Sequence, residues 1–167
     1  MEYQDFLLTL AEVSVAIVAF VTIILVVRQS TGQQLSLMQV LVARALIEMA
    51  LIALLFSLLP ILVSYFGVTD SDLWQIMSGA LALGMGLIWG FWPYRRHRTA
   101  KSSDPSPGVT YYTIVPLSLA AAGLSLANAF LWASFSIYAL VLCWQLASVC
   151  LVFLWSLKVF ILPTERS

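Results

Sequence analysis

The sequence predicts an all-α fold: an integral membrane helical bundle of five transmembrane helices, with the N-terminus outside and the C-terminus in the cytoplasm. Composition is the first observation behind this prediction, because 62% of the 167 residues are apolar and only 10% are charged. Soluble domains are about 45–50% apolar and about 25% charged. The second observation is a mean hydropathy of +0.98. The third is the uneven distribution of Lys and Arg along the chain, which orients the spans.

Five apolar stretches each reach the roughly 20 residues that cross a hydrocarbon core of about 30 Å. They lack the alternating pattern of barrel strands, so their backbone polar groups are expected to be satisfied within helices. A single transmembrane domain therefore covers the whole chain, residues 1–167, with a flexible cytoplasmic loop at 95–109. The predicted spans are residues 6–27, 37–66, 73–92, 111–131 and 135–162.

The first two spans differ in their flanks and in length. Glu2 and Asp5 precede the first span, whereas a signal peptide begins with basic residues, so this span is expected to be retained. The second span is longer than a crossing requires and contains Pro60, which favours tilting, a kink or an extension beyond the membrane.

The third span carries small residues that let another helix approach closely. Ala82, Gly86 and Gly90 follow one another at four-residue spacing, with Gly79 and Gly84 nearby. This pattern predicts a central packing helix or an oligomer seam.

The fourth and fifth spans carry polar side chains suited to hydrogen bonds between helices. Asn128 lies at the end of the fourth span, and Gln145 and Ser148 lie in the fifth. The boundary between the two spans, within residues 128–136, contains only weak helix breakers.

The Lys and Arg residues outside the predicted spans all lie on one side of the membrane. The positive-inside rule assigns that side to the cytoplasm. Aromatic residues such as Tyr3, Phe6 and Trp74 fall where the interfaces are expected, which is typical of belt residues. The basic cluster after the third span could also attract anionic lipid headgroups. That cluster consists of Arg95, Arg96, Arg98 and Lys101.

Three charged residues lie well inside the apolar runs: Glu12 in the first, and Arg44 and Glu48 in the second. Such charges cost roughly 2.5 to 3.5 kcal/mol near the bilayer centre, so they mark candidate functional positions. Lys158 lies near the inner end of the fifth run and is expected to reach the lipid headgroups. Arg44 and Glu48 are four residues apart and are expected to form an ion pair. For Glu12 the alternatives are an acid reaching outer-leaflet water or one accepting a bond from Thr9 or Ser14. The spans thus hold two acids and one base. One acid is therefore expected to be protonated, hydrated or paired with a group that the chain does not supply.

Four motifs are spread along the chain. They are Ala11-Glu12 with small residues through Ala16 and Ala19 to Phe20 and Arg28, then Arg44 and Glu48 before a Leu-rich run to Pro60, then Leu126-Ala127-Asn128, and then Trp144 to Phe153. In these motifs the chain resembles a family of small bacterial multi-span inner-membrane proteins of no established activity. The resemblance implies a bacterial inner (cytoplasmic) membrane and supplies no mechanism. It marks Glu12, Arg44, Glu48 and Asn128 as family-like positions.

Two functions follow from these observations. The leading hypothesis is an oligomeric channel or transport protein for small ions or protons that uses the intramembrane Glu and Arg residues. The alternative is a non-conducting interaction or accessory protein with a structural Arg44–Glu48 pair and a Gly-rich seam for a partner membrane protein. The expected partners are the lipid bilayer and further copies of the chain. No enzyme activity, cofactor, metal or nucleic acid is expected, because the sequence has no nucleophile elbow, metal-ligand cluster or phosphate loop.

Overall fold

The computed structural model describes residues 2–30, 32, 37–99 and 109–161, and this part of the chain is all-α. Five α-helices occur in it, and a short π-helical turn separates the last two. The elements are α1 (Glu2–Ser30), α2 (Leu37–Ser64), α3 (Asp70–Thr99), α4 (Val109–Ala127), the π turn (Asn128–Trp132) and α5 (Phe135–Ile161).

All five helices are long and apolar enough to cross a membrane. The chain is therefore a multi-pass integral membrane protein. Its orientation and its location in a bacterial inner membrane stay predictions. The candidate spans are Tyr3–Ser30, Gln39–Ser64, Asp70–Phe91, Tyr112–Trp132 and Phe135–Trp155.

α1 and α3 extend at both ends beyond the spans drawn from the sequence, whereas α2 ends at Ser64, two residues before the predicted end. α3 begins at Asp70 and continues to Thr99, so residues 95–99 are helical and the predicted loop starts later than expected. α4 already begins at Val109. The reason is that a hydropathy boundary marks where lipid contact ends, which is not where a helix has to end, and the three Arg residues after the third span favour helix.

The turn between α2 and α3 contains the local signals for ending one helix and starting the next. Gly67, with φ 73°, occupies the left-handed region after α2, and its N–H donates to the Ser64 carbonyl at 3.3 Å. Thr69 then caps α3: its Oγ1 donates to an Asp72 carboxylate oxygen at 2.6 Å and accepts from the Asp72 N–H at 3.4 Å. These contacts satisfy backbone groups that a helix start leaves without intrahelical partners.

α2, α3 and α5 pack against one another at the centre of the bundle. α4 packs on α3 and α5, while α1 packs mainly on α2 and touches α5. Only 17% of the most apolar segment of α1 is buried, against 44% in α3 and in α5. α1 is therefore the peripheral helix, and most of its surface faces outward.

Candidate functional site

No charged residue is buried among those whose side chains the structure describes. The intramembrane charges predicted from the sequence therefore do not lie in the core of the bundle. Glu12 and Arg44 are exposed, and Glu48 is partly exposed. These residues lie within the candidate spans, and their side chains are on the outside of the bundle rather than in its core.

The expected ion pair on α2 is present. Arg44 Nε donates to Glu48 Oε1 at 2.7 Å. The side chains are 69% and 33% exposed, respectively, so the pair lies on the outer surface of α2. Pairing within one helix reduces the cost of two charges facing lipid, yet it leaves the pair open to a neighbour.

A groove of about 400 Å³ lies beside this pair, between α1 and α2. Its walls are mostly apolar, and its polar groups are the ion pair and the Gln29 amide. We call it the α1–α2 groove. Its lining residues are Leu25, Gln29, Val40, Ala43, Arg44, Ile47 and Glu48.

Glu12 lies on the side of α1 opposite to the side that packs on α2. The buried residues Leu7, Ser14 and Val21 recur every seven positions on the packed side. At about 100° per residue, Glu12 is about half a turn away from Ser14. It belongs to an outward surface that we call the Glu12 face, whose members are all exposed. These are Leu8, Glu12, Ala16, Ala19 and Ile23.

Neither of the neighbours considered from the sequence bonds to the Glu12 carboxylate. Thr9 Oγ1 donates to the Asp5 carbonyl at 2.9 Å, and Ser14 Oγ donates to the Leu10 carbonyl at 2.8 Å. Helical Ser and Thr hydroxyls readily make this bond to the preceding turn. Within the described part of the chain, Glu12 has no hydrogen bond or ion pair.

Glu12 also lies at a different level in the membrane from the ion pair. Successive spans run in opposite directions, so Ser30 and Leu37, the adjoining ends of α1 and α2, lie on the same side. At 1.5 Å per residue, Glu12 is about 27 Å from that end of α1. Glu48 is about 16 Å and Arg44 about 10 Å from the same end of α2. The gap of about 16 Å between the levels of Glu12 and Arg44 far exceeds the 4 Å of an ion pair.

Asn128 joins three elements of the bundle at a fully buried position. Its Nδ2 donates to Ser78 Oγ of α3 at 2.8 Å and to the Ser134 carbonyl at 2.9 Å. Its Oδ1 accepts from the Ser134 N–H at 3.0 Å, just before α5 begins. From α4, Ser125 Oγ donates to the Ser78 carbonyl at 2.9 Å. Asn128 thus fixes the π turn against α3 and positions the start of α5.

Gln145 and Ser148 of α5 differ in what they contact. Gln145 Oε1 accepts from Trp89 Nε1 of α3 at 3.4 Å, while its buried Nε2 has no hydrogen-bond partner among the described residues. The sequence analysis expected Ser148 to bond to another helix, but it does not. Its hydroxyl donates to the Gln145 carbonyl of its own helix at 2.7 Å. A contact that sequence reasoning missed is Trp144 Nε1 donating to Ser118 Oγ of α4 at 3.2 Å.

The small residues of α3 form only part of the expected packing surface. Ala82 is buried, and a Cβ added to Gly79 would lie 3.8 Å from the Ala129 Cβ. A Cβ added to Gly86 or Gly90 would meet nothing within 4 Å among the described residues. Gly86 and Gly90 are therefore not close-packing positions within the described bundle.

Among the glycines of α3 the tightest position is Gly84, which lies outside the four-residue series. A Cβ there would lie 3.1 Å from Phe56 Cε2 of α2. The same residue of α2 also contacts α5, because the buried Tyr138 hydroxyl donates to the Phe56 carbonyl. Phe56 therefore links the three central helices.

Aromatic residues at one end of the bundle form a packed cluster rather than only a belt at the membrane interface. The Tyr3 ring lies 5.3 Å from the Trp74 ring at 88°, and the Trp74 ring lies 5.0 Å from the Phe135 ring. Phe6 contacts Phe135 edge to face at 6.0 Å. This cluster attaches the start of α1 to α3 and α5.

The predicted headgroup-binding cluster lies mostly outside the described residues. This applies to Lys101 and to the side chains of Arg95 and Arg96. Arg98 is exposed, and its guanidinium carbon lies 4.9 Å from the centroid of the Tyr94 ring. The lipid contact of this cluster stays a prediction.

No protein-family model, curated protein or solved structure matches this chain. The family resemblance therefore stays a resemblance.

Proposed function

We propose that this chain is a membrane interaction protein that binds another membrane-embedded protein through the outer surface of α1 and α2. One observation carries the proposal: the ionisable side chains at membrane depth point away from their own bundle. A charge facing lipid near the bilayer centre costs roughly 2.5 to 3.5 kcal/mol. Covering this surface with protein replaces lipid by groups that can pair with the charges.

The described interior of the bundle also supports a non-conducting role. Its buried polar residues are uncharged Ser, Asn and Gln side chains. Most of them bond to one another or to nearby carbonyls, which holds helices together. A path for ions or protons would need polar groups lining a continuous cavity.

An oligomeric channel or transport protein is a second candidate. The observation that favours it is the surplus of carboxylates over guanidinium groups within the spans, because Glu12 and Glu48 are two acids and Arg44 is one base. Carboxylates that surround an axis between copies attract cations. In such an assembly the conducting path would lie between copies rather than within one.

Photocrosslinking in intact membranes tests the interaction proposal. Benzoylphenylalanine replaces Ile23, a residue of the Glu12 face that is 58% exposed. The matched control places it at Leu140 of α5, which is 61% exposed. We expect a discrete protein adduct from position 23 and only lipid adducts from position 140. Lipid adducts alone at both positions would contradict the proposal.

A flux assay separates the two candidates. Purified protein is reconstituted in liposomes that contain a pH-sensitive or cation-sensitive dye. The interaction proposal predicts flux no greater than that of empty liposomes for the wild type, Glu12→Gln and Glu48→Gln. Wild-type flux that falls in either variant would favour the channel.

A further inference from the structure

We infer that the partner at the Glu12 face is a different membrane protein, whose transmembrane helix places a Lys or Arg beside Glu12. This inference rests on the proposed function and specifies the chemistry of the partner. Glu12 is exposed, lies within the span and has no partner in the described part of the chain. A basic side chain of the partner would neutralise it without contact with water.

The levels of the basic residues argue against a second copy of this chain as the partner. Every Lys and Arg in the described helices lies at the level of Arg44 or nearer to the side of the membrane where α1 ends and α2 begins. These residues are Arg28 at the end of α1, Arg44 in α2, Arg95, Arg96 and Arg98 in the last turns of α3, and Lys158 in the last turn of α5. Glu12 lies about 16 Å beyond Arg44 along the membrane normal.

All copies of the chain are expected to insert in the same direction, because the bias of Lys and Arg is a property of the sequence. A neighbouring copy in the same orientation therefore brings none of these basic side chains to the level of Glu12. Antiparallel insertion, which could bring Arg44 towards Glu12, would oppose that bias. A base at this level has to come from another protein.

The surface beside Glu12 suits close approach of a helix. Ala16 and Ala19 are exposed, and they lie about one and two turns from Glu12 on the same face. Their short side chains let a neighbouring backbone approach α1, as small residues do at helix interfaces in membranes. Ile23, one turn further along, adds an apolar contact.

The test uses the purified full chain in phosphatidylcholine vesicles and a synthetic Leu/Ala transmembrane peptide with a single Lys about 6 Å from its centre. A donor dye on the protein and an acceptor dye on the peptide report association by energy transfer. The matched peptide has Leu in place of Lys. The protein variants are Glu12→Gln and, as an acid-to-amide control outside the surface of α1 and α2, Asp70→Asn at the exposed start of α3.

We expect the Lys peptide to bind the wild type and Asp70→Asn about tenfold more tightly than it binds Glu12→Gln. The Leu peptide should bind the wild type about tenfold more weakly than the Lys peptide does. Equal binding of both peptides, or equal binding to Glu12→Gln and wild type, would overturn the inference. Energy transfer between differently labelled copies that is lost in Glu12→Gln would also overturn it, because the occupant would then be a second copy. The proposed function survives each of these results if position 23 still crosslinks to protein in native membranes.

Discussion

Replacing Asn128 with Ala tests the account of how the bundle is held together. Three hydrogen bonds disappear: two from Nδ2, to Ser78 Oγ and the Ser134 carbonyl, and one from the Ser134 N–H to Oδ1. Each interhelical bond in a membrane protein contributes about 0.6 kcal/mol on average and up to about 1.7 kcal/mol. The substitution also leaves buried donors and acceptors without partners. We expect the free energy of unfolding to fall by about 2 to 4 kcal/mol.

The assay is equilibrium unfolding by sodium dodecyl sulfate in mild-detergent micelles, followed by tryptophan fluorescence. Leu126→Ala is the control, because Leu126 is 46% exposed. A loss below about 0.5 kcal/mol for Asn128→Ala, within the range of ordinary surface substitutions, would refute the reasoning.

Three further substitutions test the packing and the outer ion pair by the same unfolding assay. Gly84→Leu should destabilise the bundle by about 1 to 3 kcal/mol, because even its Cβ would lie 3.1 Å from Phe56. Gly86→Leu, at an open position, should be nearly neutral. Equal effects of the two substitutions would contradict the assignment of the close contact to Gly84. Tyr138→Phe should cost about 1 kcal/mol through loss of the bond to the Phe56 carbonyl, and an unchanged midpoint would show that the bond contributes nothing. Arg44→Gln should change stability in micelles by less than about 1 kcal/mol, because the pair is largely exposed, and a larger loss would mean that Arg44 stabilises the isolated bundle.

The number of helices follows from the sequence, because five long apolar runs leave little choice in a membrane. The helix ends follow less well. α3 extends to Thr99, past the boundary where the apolar run ends at residue 92. Hydropathy measures contact with lipid, whereas helix ends depend on capping and turn residues such as Gly67 and Thr69.

The direction in which each side chain points is what the sequence predicts worst. Spacing shows that Arg44 and Glu48 share one side of α2, and the ion pair follows from it. Spacing does not show whether that side faces the core or the membrane. The four-residue spacing through Gly86 has the same ambiguity, and among the glycines of α3 the tightest position is Gly84 instead. The rotation of each helix depends on all its neighbours together.

The most direct test of the central claim is the reactivity of the Glu12 carboxyl in native membranes. A lipid-soluble carbodiimide is applied to native membranes and to purified protein in micelles, and modification of Glu12 is measured by mass spectrometry. We predict that Glu12 is protected in native membranes, where a partner covers it, and becomes reactive once the protein is purified. Equal modification of Glu12 in both preparations would show that the Glu12 face meets lipid alone and would contradict the account.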